Sequence, residues 1–438
     1  MKRFTLEATK ENVLKSIQNN TYNRNMDIKD FVEALDIIEG NMFISLDAKW
    51  GAGKTFYVRQ IEQTLKYLTG KKKEINIAEL EPYFSGNVLD QIELKSTYLP
   101  VYYNAWLYDN HDDPLMSLLL ITLKEYEGFC DTKLNGSSII SKAVKLIDSV
   151  SNFRLKLGDF KEEFQSKDIL SSVKTEEEIR EKVKEIFDSI IVENVEKLVI
   201  FVDELDRCRP YFAIEMLERI KHYFADDRII FIASINRGQL IHSISKYYGT
   251  HFDSTGYLDK FFDKNIYLPE INIKGEIEYM LEFTDKQYHL RYISEDLNAY
   301  YRLSLRENLR FYESISYAAS SKYIYDQDGQ GLILSAFVPI IAILNIKDES
   351  KKIKFMNGDN SILQQLFEVV PALHQMACLF GKENGTQEEK YKIGYEKIKE
   401  VYDYTFGNDK RKWYKGSIRI DNNLKSLCIK LCNGLELK

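Results

Sequence analysis

The sequence predicts an α/β fold with a central, mainly parallel sheet, followed by a long helical stretch. Three observations predict it. Met42-Phe43-Ile44-Ser45-Leu46 is a short apolar run that leads through a small-residue loop into Tyr57, Val58, Ile61, Leu65 and Leu68 at helical spacing. Leu198 to Val202 is five consecutive apolar residues, as in a strand buried on both faces of a parallel sheet. Asp203 and Glu204 follow that run, at the end where open α/β sheets bind ligands.

In chain order, residues up to about Gly40 read as helical, with Asn19 to Asn25 as a turn and Asp27 or Asp30 as the cap of a helix carrying Phe31, Leu35 and Ile38. After the Lys54 helix, Gly70-Lys71-Lys72-Lys73-Glu74 marks a solvated break. Leu99 to Asn104 is a second strand. Asp113 then caps a helix with Pro114 at its first position and an apolar body from Leu115 to Tyr126. Asp131 to Lys174 turns polar, with Ile140, Val144, Leu146 and Ile147 on one face, and reads as a helical insertion. Thr175-Glu176-Glu177-Glu178 is a capping box that starts a helix through Ile179, Val183, Ile186 and Ile190. Pro210 starts a helix through Tyr223, Arg228 to Ile235 is a further apolar strand, and Asn265 to Pro269 is a last short one. Leu332 to Leu344 is apolar but interrupted by Pro339 and too short to span a bilayer, which makes it a core helix. Gly385 to Glu389 reads as a loop, and Tyr391 to Phe406 as an aromatic-rich helix.

The loop Ala48-Lys49-Trp50-Gly51-Ala52-Gly53-Lys54-Thr55 carries the chemistry. It approximates GxxxxGK[ST] between a strand and a helix, the context in which that motif cradles phosphate. Glycines at 51 and 53 let backbone N–H groups close around phosphate oxygens, and the helix start adds free N–H groups and a positive dipole end. The nucleotide-facing set is Ala48, Trp50, Gly51, Ala52, Gly53, Lys54, Thr55 and Phe56. Lys54 reaches the β- and γ-phosphates and the Thr55 hydroxyl ligates Mg²⁺. Ala48 departs from the motif, which wants glycine; if the position requires positive φ, alanine costs about 1 kcal/mol or more. Asp203 suits the outer-shell hold on Mg²⁺, and Glu204 suits a general base orienting the attacking water. Asn236 is placed to contact the γ-phosphate or its water, or else to cap a helix. Asn236-Arg237-Gly238-Gln239 is not the Asn-Lys-x-Asp guanine-reading motif, so ATP is favoured over GTP.

At 438 residues the chain exceeds one compact core. An apolar fraction of 44% and a formal charge of −7 describe a globular protein and argue against a general polyanion-coating one. Five scattered cysteines, the absence of an apolar signal core and the absence of a membrane-length run point to a cytoplasmic protein with reduced thiols. Cys428 and Cys432 share a helix face without a further ligand to complete a metal set, and read as buried thiols.

The chain resembles the KAP NTPases, a group of P-loop ATPases. The resemblance rests on Trp50-Gly51-Ala52-Gly53-Lys54-Thr55, on Tyr103-Asn104-Ala105-Trp106-Leu107-Tyr108, on Val202 to Pro210 with its Asp206-Arg207-Cys208, and on Tyr257 to Phe262 leading to Leu268-Pro269. It covers roughly Asp27 to Ser320. It implies a three-layer P-loop fold with the Asn236 strand between the Lys54 and Asp203 strands. It also implies a helical lid after Pro269 with a nucleotide-sensing arginine, Arg306 first and Arg310 second. Lys260 and Arg207 are candidates to reach a nucleotide across a subunit boundary. Asn236 stands where relatives often carry aspartate. Membrane-spanning hairpins found in many members are not visible here.

The division expected is an ATPase core over 1–269 with its insertion at 131–174, a lid over 270–345, and a mostly helical region of unknown role over 346–438. From Asp409 to Lys438 there are eight Lys and Arg against three Asp and Glu, with Trp413 and Tyr414 among them. That is either a nucleic-acid surface or a solvated one closing the lid. The leading expectation is Mg-dependent ATP hydrolysis that moves the lid or an assembly against a protein partner or a second copy, in bacterial defence against phage or mobile elements. The alternatives are a slow nucleotide-dependent scaffold and a P-loop kinase.

Overall fold

The computed structural model describes residues 7–75, 77–110, 113–130, 166–191, 195–269, 283, 287–325, 329–382, 384–407, 418, 420 and 422–434. The chain divides into two compact units, one over Glu7–Ile271 and one over Asn272–Lys438 together with Met1–Leu6.

The first unit is a three-layer α/β sandwich. Among the described residues five strands form one sheet: β1 (Met42–Asp47), β2 (Tyr98–Asn104), β3 (Lys197–Asp203), β4 (Ile229–Ile235) and β5 (Lys264–Tyr267). Their order is β2-β3-β4-β1-β5 and every pairing is parallel. Strand β4 therefore lies between β1 and β3, as the resemblance implies. Successive side chains alternate between faces. Val101, Ile200, Phe231 and Ala233 enter one apolar cluster with Leu118, Val183, Met216 and Leu240, while Val199, Phe201, Ile232 and Ile44 enter another with Val13, Val32 and Ile61. Helices α1 (Lys10–Gln18), α2 (Asn25–Asp36) and α3 (Lys54–Lys73) cover the second face. The first is covered by α4 (Pro114–Cys130), α5 (Ser166–Ile191), α6 (Pro210–Tyr223) and α7 (Arg237–Tyr248).

Helix boundaries correct the sequence reading in three places. Helix α2 starts at Asn25 after Arg24, so Asp27 lies inside its first turn and Asp30 further on, and neither is its cap. The start is set upstream, where Asn20, Tyr22 and Asn23 take positive φ and reverse the chain. Lys71, Lys72 and Lys73 form the last turn of α3 and not a loop; cations suit a helix C-terminus, and Glu74 ends it in the left-handed region at φ 56°. Helix α5 runs unbroken from Ser166 through Thr175, so the expected capping box is interior to it. The rest of the expected insertion, with Ile140, Val144, Leu146 and Ile147, lies outside the described residues. Asp113 does cap α4: its Oδ1 accepts from the Leu115 N–H at 2.8 Å.

The second unit is helical. One apolar cluster takes side chains from α8 (Tyr288–Tyr301), α9 (Leu305–Ala319), α10 (Gly329–Lys347), α11 (Glu349–Met356), α12 (Ser361–Val369), α13 (Pro371–Leu379), α14 (Gln387–Phe406) and α15 (Leu424–Cys432). Helix α10 is apolar all round, and Ile333 to Leu344 are buried with Pro339 inside it. It has the length and composition to cross a membrane, but most of it is buried within the unit. Helix α14 crosses α13 closely: a Cβ at Gly394 would stand 1.7 Å from the Ala377 carbonyl oxygen. Helix α9 opens with a capping box in which Ser304 and Glu307 exchange bonds. Cys428 is buried as expected, whereas Cys432 is half-buried against the core with its thiol on the Val338 carbonyl oxygen at 3.4 Å. Trp413 and Tyr414 lie outside the described residues.

Candidate active site

Strand register brings the chemical residues to one edge. Asn104 of β2 pairs with Asp203 of β3, Asp203 with Ser234 of β4, and Ser234 with Leu46 of β1. Partners in a parallel pair share a face, so these positions form a row on the side covered by α3. Strands β1 and β3 are two spacings apart, about 10 Å.

The loop between β1 and α3 turns at its glycines. Gly51 and Gly53 take φ of 81° and 86°, the left-handed region that a Cβ disfavours. Ala48 is not among the residues with positive φ, so alanine there carries no strain; its N–H donates to the Ile235 carbonyl oxygen at 3.2 Å. Trp50 is half exposed, and its indole N–H donates to Asp206 Oδ2 at 2.5 Å. Phe56 turns its ring into the core beneath the loop, where it is 7% exposed. Arg24, buried beside the loop, donates to the Gly53 and Pro269 carbonyl oxygens at 3.5 and 3.1 Å.

Lys54 is buried, and its Nζ donates to the Ala48 and Lys49 carbonyl oxygens at 2.5 and 3.3 Å. Burial pulls its pKa below the usual amine value, against the raising pull of Asp206, Asp203 and Asp47. One ammonium thus stands in the field of acids from both segments that the sequence reading paired.

Asp203 is 1% exposed and locked from two sides. Its Oδ1 accepts from the Glu204 N–H at 3.0 Å, and its Oδ2 from the Tyr102 hydroxyl at 3.0 Å. The Arg59 guanidinium lies 4.5 Å from the centroid of the Tyr102 ring. Arg59 follows Thr55 by one helical turn and shares its face of α3. The Arg59–Tyr102 contact thus packs this face of α3 against the strand that holds Asp203. Glu204 has φ 61°, a left-handed conformation in a residue with a Cβ. Its Oε2 accepts from Asn104 Nδ2 at 3.2 Å and its Oε1 pairs with Arg207 at 2.8 Å. Burial raises its pKa above the usual carboxylate value and Asp203 adds to the rise, while Arg207 opposes it.

A hydroxyl and a carboxylate are the oxygen donors that Mg²⁺ takes in phosphate-handling sites, where substrate and water supply the rest of its shell. Among the described residues no group of three or more His, Cys, Asp or Glu could hold a metal by itself. The Ser234 hydroxyl, wholly buried in the same row, has no hydrogen-bond partner among the described residues, a polar atom left over beside Asp203 in that row. The residues fit a metal held jointly with phosphate.

Other expected residues fare differently. Asn236 caps α7, its side chain accepting from the Gln239 N–H at 3.3 Å. Arg207 pairs with Glu204 at 2.8 Å and lies over the Trp106 ring at 5.6 Å, with its side chain part-exposed. Lys260 is exposed after a short helix, Ser254–Asp259. Arg306 and Arg310 are exposed on α9 of the helical unit, without an ion-pair partner among the described residues. The sequence reading gave no role to Asp206, Asn104, Tyr102 or Arg59. Asn104 and Asp206 lay inside the quoted motifs; Tyr102 and Arg59 carried no local signal.

The model of the KAP family P-loop domain matches residues 10–316. The match begins at α1, ahead of the resemblance drawn from motifs, and extends through most of α9. No curated protein matches the chain.

Proposed function

The chain belongs to the KAP family of P-loop domains, which makes it a nucleotide-binding protein, and from that premise we propose that it hydrolyses ATP with Mg²⁺. The observation that carries the proposal is the hydrogen bond from the Trp50 indole of the phosphate loop to Asp206, together with the strand register that sets Asp203 of β3 in one row with the end of β1. The loop N–H groups and the Lys54 ammonium bind and orient the triphosphate. Thr55 and Asp203 would hold Mg²⁺, which supplies charge neutralisation at the β- and γ-oxygens. Glu204 takes a proton from water lined up with the γ-phosphorus, Asn104 aiming its carboxylate and Arg207 holding it ionised. Lid movement in the helical unit, with Arg306 or Arg310 sensing nucleotide, extends this reading, as does a cytoplasmic setting in bacterial defence.

A second reading, a switch with slow turnover, is favoured by the Arg207 ion pair on Glu204 Oε1, which weakens the carboxylate as a base. Glu204→Gln separates the two. Hydrolysis should fall by about 10²- to 10⁴-fold with ATP still bound if Glu204 is the base. A change below about threefold leaves the switch. Phage plating on cells carrying the chain or its Lys54→Ala variant tests the defence setting: equal plaque counts would remove it.

A further inference from the structure

Next to the Tyr102 contact on Asp203 runs a chain of charges, buried at Glu62 and half-buried at Arg59, Lys66 and Glu125, that the proposed chemistry does not use. Glu62 of α3 has its side chain 1% exposed, with Oε2 paired to Arg59 at 2.7 Å and Oε1 to Lys66 at 2.9 Å. Lys66 also pairs with Glu125 of α4 at 2.7 Å. Two cations and two anions leave the chain neutral. Burying such pairs costs several kcal/mol per ion in desolvation, and apolar side chains would fill the space at less expense. What the chain does supply is placement. Glu62 fixes the Arg59 guanidinium from below, Arg59 lies over the Tyr102 ring, and the Tyr102 hydroxyl ends on Asp203 Oδ2.

We propose that Tyr102 and Arg59 are positioning residues for divalent-cation binding, forming a brace that sets Asp203 relative to Thr55. The helix that presents Thr55 also presents Arg59 one turn later, so a single rigid element governs both ends of the metal's protein contact. The Tyr102 bond restrains the rotation of the carboxylate. The brace rests on the assignment of Asp203 to Mg²⁺ made above.

The test is a titration of the full chain with a fluorescent ATP analogue, at increasing Mg²⁺ and in EDTA. Tyr102→Phe keeps the ring under Arg59 and removes only the hydroxyl. It should raise the Mg²⁺ concentration for half-maximal tight binding about tenfold, the size of loss typical when an outer partner of a metal ligand is removed. Its affinity in EDTA should equal that of the unaltered chain. Arg59→Met should give a smaller shift in the same direction and stands in if Tyr102→Phe does not fold. An unchanged Mg²⁺ midpoint in both variants overturns the brace, as does an equal loss with and without Mg²⁺, which marks a purely structural role. Asp203→Asn separates the two levels. If it moves the midpoint while Tyr102→Phe does not, only the brace fails. If unaltered binding is indifferent to Mg²⁺, the metal assignment fails with it.

Discussion

The two units bury different things. Among its described residues the α/β unit encloses eight charged side chains: Arg24, Asp36, Lys54, Glu62, Asp109, Asp113, Asp203 and Asp206. The helical unit encloses none among the described residues, only polar groups such as Gln287, Ser294, Asn308 and Ser335. Charge in an interior is expensive unless paired; here Asp113 caps a helix and Asp36 holds backbone N–H groups, while Lys54, Asp203 and Asp206 gather around the phosphate loop. The helical interior instead approaches the apolar close packing that makes a rigid body. Substitutions should therefore separate cleanly: function without stability in the first unit, stability without function in the second.

The largest expected effect after Glu204→Gln is on binding. Lys54→Ala removes a charge-assisted contact worth about 1.5–3 kcal/mol, so ATP affinity should drop about tenfold to a hundredfold by calorimetry. The melting temperature should hold, because burial already outweighs the carboxylates at Lys54. A variant that melts early yet binds ATP normally would break the comparison. Next comes Gly394→Ala, whose methyl collides with the Ala377 carbonyl. Overpacking of this kind costs about 1–3 kcal/mol, and thermal melting should register it with ATP affinity unchanged. Altered affinity would mean that the helical unit is not a passive body.

Titration sharpens the same contrast. With Glu204 as the proposed base, hydrolysis requires its ionised form, and its folded pKa is raised, so turnover should fall on acidification at a higher pH than an ordinary carboxylate dictates. Arg207→Ala removes an influence that lowers this pKa, so the acid limb of the pH–rate profile should move further up. A limb that moves down would reverse the assigned role. The smallest effect is expected at Ser304, where Ser304→Ala deletes the cap of α9 at a cost of about 1 kcal/mol, read by denaturant unfolding.

What the sequence disclosed follows the range over which each signal acts. Met42–Asp47, the turn at Gly51 and Gly53, and the acids after β3 depend on periodicity and local backbone demands, and all stand where expected. Their placement on one row needed the strand order, which the family resemblance supplied and composition alone could not. Thr175 misled because a capping box is a local preference; the helix continues through it from Ser166. Arg59 and Tyr102 were invisible because a ring and a guanidinium 43 positions apart meet only through the packing of α3 on β2.

The backbone at Glu204 carries a lasting tension. A side chain held at φ 61° costs about 1 kcal/mol or more relative to glycine, which would sit there at ease. Laboratory evolution that rewards only heat resistance would gain by discarding the acid, so durability and turnover compete at a single codon. Keeping a glutamate there is sensible only while something downstream depends on the reaction.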